Sequence, residues 1–134
     1  ATVALATFQR RQDENDQKLK KQLEKLYLDA GFAVPANEAV LEEFEENPRF
    51  KTILGAMMRA GVIVRLDARY NMHREHLEKA IECFRQTAAA ASPVELGAFR
   101  DELGASRKVA LAVMDYMDMR GITKKQGEGR IWLR

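Results

Sequence analysis

Residues 105–134 read ASRKVALAVMDYMDMRGITKKQGEGRIWLR. Two cations, Arg107 and Lys108, open a stretch of helical periodicity that Gly121 ends, and Ser106 stands where an N-cap belongs. Val109, Ala112, Val113, Tyr116 and Met117 recur at the i, i+3, i+4, i+7, i+8 spacing of a buried stripe. The opposite side carries Arg107, Leu111, Met114 and Asp118, with Lys108 and Asp115 flanking. After the glycine, ITKK and RIWLR enclose Gln126-Gly127-Glu128-Gly129, which reads as a hairpin with a glycine-containing loop. Strict alternation points Ile131 and Leu133 to the core and leaves Trp132 outside with Arg130 and Arg134.

The same pattern occurs earlier in the chain. Leu19, Leu23, Leu26 and Tyr27 fall at helical spacing in DQKLKKQLEKLYLDAG, and Leu77, Ile81 and Phe84 repeat it 58 residues later. Val40 and Phe44 are matched by Phe99 and Leu103 at an offset of 59. A third helix from Pro48 to Ala60 ends at Gly61 as that from Ser106 to Arg120 ends at Gly121, an offset of 60. VIVRL and RYNMH follow Gly61 as strand candidates joined through Asp67-Ala68. Three helices and two strands, written twice, predict a mainly α fold with small β wings: two tandem winged helix (helix-turn-helix) modules. The boundaries expected are 1–12 for a linker with a strand remnant, 13–73 for the first module and 74–134 for the second. Modules of about 60 residues are marginal alone, so the helix before Ala88, or Ala88–Ala91, is expected to fasten them.

Charge divides the two copies. The chain of 134 residues has a formal net charge of only +2. Residues 105–134 hold seven cations against three anions, a net of +4, whereas residues 31–61 hold three cations against five glutamates, a net of −2. The second copy is therefore the candidate for an anionic partner. Arg107, Lys108, Lys124, Lys125 and Arg130 would form one phosphate-binding face of helix start and wing. Asp115 and Asp118, further along the outer side, would meet phosphates if the helix lay lengthwise in a DNA major groove. End-on contact by the helix start suits an RNA hairpin tip better. Trp132 is a candidate to stack on a base or ribose, or to cover an internal interface.

Catalytic and metal chemistry find little support. No G-x-x-x-x-G-K-[ST] run is present, so GTP binding is not expected in these residues. His73, His76 and Cys83 supply only three ligands on one helix, with no paired cysteines, and no metal or cofactor is expected. Cys83 reads as a small core residue that cannot form an internal disulfide, and nothing resembles a signal peptide or membrane span. A reducing cytoplasm is the expected setting. Starting at Ala1 rather than Met, the chain reads as a piece of a longer protein.

From Phe99 to Arg134 the sequence resembles the last winged helix of the bacterial selenocysteine-specific elongation factors, and GFAVPANEAVLEEF with its surroundings resembles the module before it. Phe99, Arg100, Asp101, Leu103, Gly104, Arg107, Lys108, Tyr116, Asp118, Gly121 and Thr123 carry the resemblance. It implies the C-terminal mRNA-binding part of a factor whose N-terminal part is a GTPase. Such a part binds the selenocysteine insertion stem-loop beside an in-frame UGA codon, so that selenocysteyl-tRNA is delivered there. Ribosome and tRNA would be reached through the N-terminal domains, and a monomer is expected. The resemblance makes Arg100, Arg107, Lys108, Lys124, Lys125 and Arg130 the candidate RNA contacts. The other classes considered are a DNA-binding tandem winged helix transcriptional regulator and a protein-interaction scaffold. A regulator usually pairs matched reading heads, which an acidic first copy does not offer.

Overall fold

The computed structural model describes the backbone of residues 2–133 and the side chains of residues 7–133. The place expected for Arg134 lies outside the described residues. Helix α1 spans Thr2–Ala30, α2 Asn37–Glu43 and α3 Phe50–Arg59, followed by strands β1, Ile63–Arg65, and β2, Asn71–His73. Helix α4, Arg74–Ala90, leads to β3, Val94–Glu95, then α5, Leu96–Leu103, α6, Arg107–Met119, β4, Thr123–Gln126, and β5, Gly129–Trp132. The protein is mainly helical with two small sheets, a two-stranded β1-β2 and a three-stranded β3-β5-β4.

The internal repeat extends to individual hydrogen bonds. The amides of Ala60, Gly61 and Val62 donate to the carbonyls of Ala56, Met58 and Met57. Sixty residues on, those of Arg120, Gly121 and Ile122 donate to Tyr116, Asp118 and Met117. Both are Schellman turns, in which the residue after the helix must take a left-handed conformation; Gly61 and Gly121 do so at φ of 80° and 71°. The Ala36–Tyr70 bridge in the first half likewise matches the Glu95–Gly129 pair in the second, allowing one residue of drift. That third strand was not expected; two residues are too few to leave an alternating pattern.

The cores follow the periodicity. Leu19, Leu23 and Tyr27 of α1 are buried with Val40, Phe50 and Met57, and Leu77, Ala80 and Phe84 of α4 with Phe99, Leu103, Val109, Val113 and Met117. Helix α4 packs on β1 and β2 as well as on α5 and α6, so it joins the halves in the way expected of the helix before Ala88. His73 and His76 reinforce the joint. His73 Nδ1 accepts from the Glu75 amide and caps α4, which places its proton on Nε2 facing Glu24 of α1 at 3.0 Å; His76 Nε2 donates to the Leu28 carbonyl at 2.8 Å.

Two expectations are corrected. Residues 2–12 are not a linker with a strand remnant but the opening of α1. The β-branched Thr2 and Val3 sit among Ala, Leu, Gln and Arg, whose helix propensity continues without a break into the next turns. Met114, read as lying on the outer side of α6, is fully buried, and Leu111 is half-buried. Helix α6 is covered by α4 and α5 on one side and borders the β4 wing on another, so its buried arc is wider than one stripe.

Candidate nucleic-acid interface

Helix α6 begins as expected. Ser106 Oγ accepts from the Val109 amide at 3.2 Å, and the Ser106 carbonyl takes the first helical bond from Ala110. Arg107 and Lys108 are exposed in that first turn, where the amides and the helix dipole already favour an anion. Gly104, at φ 70°, ends α5 and turns the chain tightly toward Ser106. Arg100 therefore lies in the last turn of α5, across the same short turn from Arg107. Its guanidinium rests on neighbouring Asp101 at 3.1 Å with the side chain 38% exposed, so it is partly neutralised but accessible.

On the wing, β4 is an edge strand and both Lys124 and Lys125 are exposed. Lys125 pairs with Arg130 across the hairpin and Lys124 with Ile131, so the two lysines leave opposite faces. The tip turns through Gly127, at φ 62°, and Glu128. Gly129 then runs so close to β3 that an added Cβ would stand 2.9 Å from the Val94 carbonyl oxygen. A larger residue there would push the wing off the body.

Arg130 and Trp132 share a face, as alternation requires, but it is the inner one. Arg130 is only 7% exposed. Its Nε donates to Asp118 Oδ2 at 3.1 Å and its Nη2 to Asp115 Oδ1 at 3.4 Å, while the Thr123 hydroxyl donates to Asp118 Oδ1 at 2.6 Å. The expectation of Arg130 as an exposed wing cation is corrected, because two carboxylates on α6 draw it inward. The same contacts change the reading of Asp115 and Asp118: they face the wing rather than open groove space. Trp132 is half-buried and packs on the Phe84 ring, 6.5 Å between centroids, and Phe84 meets Phe99 edge-on at 5.4 Å. Leu133, expected inside, is 51% exposed.

The residues thus separate into an exposed set, Arg107, Lys108, Lys124 and Lys125, a half-buried, ion-paired Arg100, and a supporting set, Arg130 and Trp132. Sequence reasoning missed the role of Asp118 and Thr123. Their places, three residues before the glycine turn and two after it, were the available signal.

Elsewhere, the two histidines read as potential metal ligands are already engaged by the protein. His73 and His76 use ring nitrogens as described, and burial, more than the opposing Thr87 bond, raises the pKa of the half-buried Cys83 thiol. Among the described residues no group of three or more His, Cys, Asp or Glu is placed to hold a metal ion, and no helix is long and apolar enough to cross a membrane.

These features define a mainly helical protein of the winged-helix type with a basic helix start and wing. Residues 86–132 match the family model described as "Elongation factor SelB, winged helix", which bears out the resemblance read from the sequence. Among solved structures, a bacterial selenocysteine-specific elongation factor EF-Sec matches with a TM-score of 0.72 at 19% identity over 90% of this chain. This chain spans 19% of that protein's length. The mRNA-binding domain of elongation factor SelB from E. coli, solved in complex with SECIS RNA, matches with a TM-score of 0.73 at 18% identity, covering 90% of this chain and 98% of that one. A comparison with curated proteins finds no significant match.

Proposed function

We propose that this chain is the mRNA-binding part of a selenocysteine-specific translation elongation factor, holding the SECIS stem-loop so that selenocysteyl-tRNA is delivered at an in-frame UGA codon. The observation that carries this reading is that the SelB winged-helix match, residues 86–132, contains the exposed Arg107, Lys108, Lys124 and Lys125 at the α6 start and the wing. We read the fold as two tandem modules, 13–73 and 74–134; the repeated Schellman turns and the start of α4 at Arg74, directly after β2, support that division.

Arg107, Lys108, Lys124 and Lys125, with Arg100 beside them, would contact the RNA, and Arg130 and Trp132 would hold the wing that presents the lysines. The chain acts by binding, not catalysis. GTP hydrolysis, ribosome contact and tRNA carriage would belong to other parts of a longer cytoplasmic factor, with this part monomeric.

A titration with SECIS stem-loop RNA, duplex DNA and single-stranded RNA tests the reading. Preference for the stem-loop by at least about tenfold, about 1.4 kcal/mol, is expected. Equal or tighter binding to duplex DNA would favour a transcriptional regulator, and no binding to any of the three a protein scaffold.

A further inference from the structure

The base of the wing contains an ionic group that the fold does not require. Asp118, in the last turn of α6, accepts from both the Thr123 hydroxyl at the start of β4 and the Arg130 Nε on β5, so one carboxylate holds both strands of the hairpin. Arg130 also reaches Asp115, one turn back along α6, so its guanidinium spans from β5 to two carboxylates of the helix. Thr123 is 2% exposed and Arg130 7%, while the Asp118 and Asp115 side chains keep 21% and 49%, so this clasp is partly withdrawn from water. At the equivalent positions the first half has Met58 and Ile63, sixty residues earlier, and Asn71 by strand register. It nevertheless forms the same Schellman turn and the same antiparallel pair. Buried ion pairs add little net stability over apolar residues of similar size, but they define geometry, because only one arrangement satisfies every charge. The charged version occurs in the half whose wing carries Lys124 and Lys125.

Resting on the RNA-binding reading above, we propose that Asp118 is a positioning residue for RNA recognition: through Thr123 and Arg130 it fixes the wing against α6, so that Lys124 and Lys125 meet the stem-loop in register with Arg107 and Lys108. Asp118 itself touches no RNA.

The sign of one substitution separates this role from simple electrostatics. Asp118→Ala removes an anion from a basic face, so charge alone predicts tighter RNA binding. Positioning predicts weaker binding, by about tenfold, because the lysines must then be ordered at the moment of association. The experiment uses the full chain and a fluorescent SECIS stem-loop RNA, at a temperature where circular dichroism shows each variant folded. Lys124→Ala/Lys125→Ala is made in both the native and the Asp118→Ala backgrounds. Its cost should shrink several-fold in the second, a non-additivity that a general loss of stability does not produce. Thr123→Val, which changes no charge, should weaken binding several-fold, and Thr123→Ser should restore it; this pair decides the matter if Asp118→Ala does not fold. Equal or tighter binding by Asp118→Ala, additive lysine costs, or unchanged binding by Thr123→Val would each overturn the proposal. Failure of the native chain to bind the stem-loop would instead overturn the RNA reading on which it rests.

Discussion

Arg49, at the N-cap of α3, donates from Nε and Nη2 to the two oxygens of Asp16 on α1, at 3.1 and 2.9 Å. The cation that corresponds to the basic start of α6 is thereby committed to the protein's own carboxylate. Helix α3 opens with Arg49 engaged and Lys51 exposed, while α6 opens with both Arg107 and Lys108 exposed. The net charge of −2 over residues 31–61 adds to this asymmetry. The starts of α3 and α6 therefore offer an anionic partner different surfaces.

The Arg49 contact makes part of the stability acid-sensitive. The hydrogen bond from Arg49, aided by its charge and opposed by partial burial, holds the Asp16 carboxyl below its ordinary value of 3.8. A folded-state pKa below the unfolded one stabilises the fold above the unfolded value, and that contribution is lost as pH falls through the folded one. Asp16→Asn should lower the urea midpoint at neutral pH, and the gap from the native chain should close on acidification below about pH 4. A gap independent of pH would show that the ionised pair contributes nothing.

Arg130 should matter more to the wing than to the charge count. Arg130→Ala leaves Asp118 without a charged partner at the base of the hairpin. Because Asp118 and Asp115 retain 21% and 49% side-chain exposure, water can replace part of what is lost. A loss of about 1–3 kcal/mol is expected in urea unfolding, below the range for fully buried pairs. Arg100→Ala, whose guanidinium rests on exposed Asp101, should cost under about 0.5 kcal/mol.

Salt dependence measures how many phosphates the exposed cations neutralise. With roughly three to five contacts, log affinity for the stem-loop should fall against log salt with a slope on the order of −2 to −4. Lys124→Ala/Lys125→Ala should flatten that slope by about one to two units. A slope near zero in the native chain would mean that the basic face takes no part in binding.

Much of this was legible in the sequence because helical cores and glycine caps leave periodic marks. Leu19, Leu23 and Tyr27 and their echoes in Leu77 and Phe84 announced the two long helices, and Gly61 and Gly121 marked equivalent helix ends. Strand β3 was lost because two residues cannot alternate. Met114 and Arg130 were misplaced for a common reason: periodicity assigns a residue to a face, but what covers that face is decided by tertiary packing. Counting cations also could not reveal that Arg130 is held by Asp118 and Asp115 while Lys124 and Lys125 are exposed. The correct pairing of Arg130 and Trp132 on one strand face came with its inside and outside exchanged, since Asp118 and Asp115 draw Arg130 inward and Trp132 packs on Phe84.

The most direct test of the account compares three double variants for affinity to the SECIS stem-loop, each checked for native circular dichroism. Arg107→Ala/Lys108→Ala removes two cations from a rigid helix start and should weaken binding by about 2–4 kcal/mol, at roughly 1–2 for each charge-assisted contact. Lys124→Ala/Lys125→Ala should cost less, because no helix N-terminus adds to the charge of an edge strand. Arg49→Ala/Lys51→Ala, at the start of α3, should leave RNA affinity within about threefold of native, a difference below about 0.7 kcal/mol. If the Arg49/Lys51 pair proved the most damaging of the three, the RNA would sit on the first half and the placement of function on α6 and its wing would be contradicted.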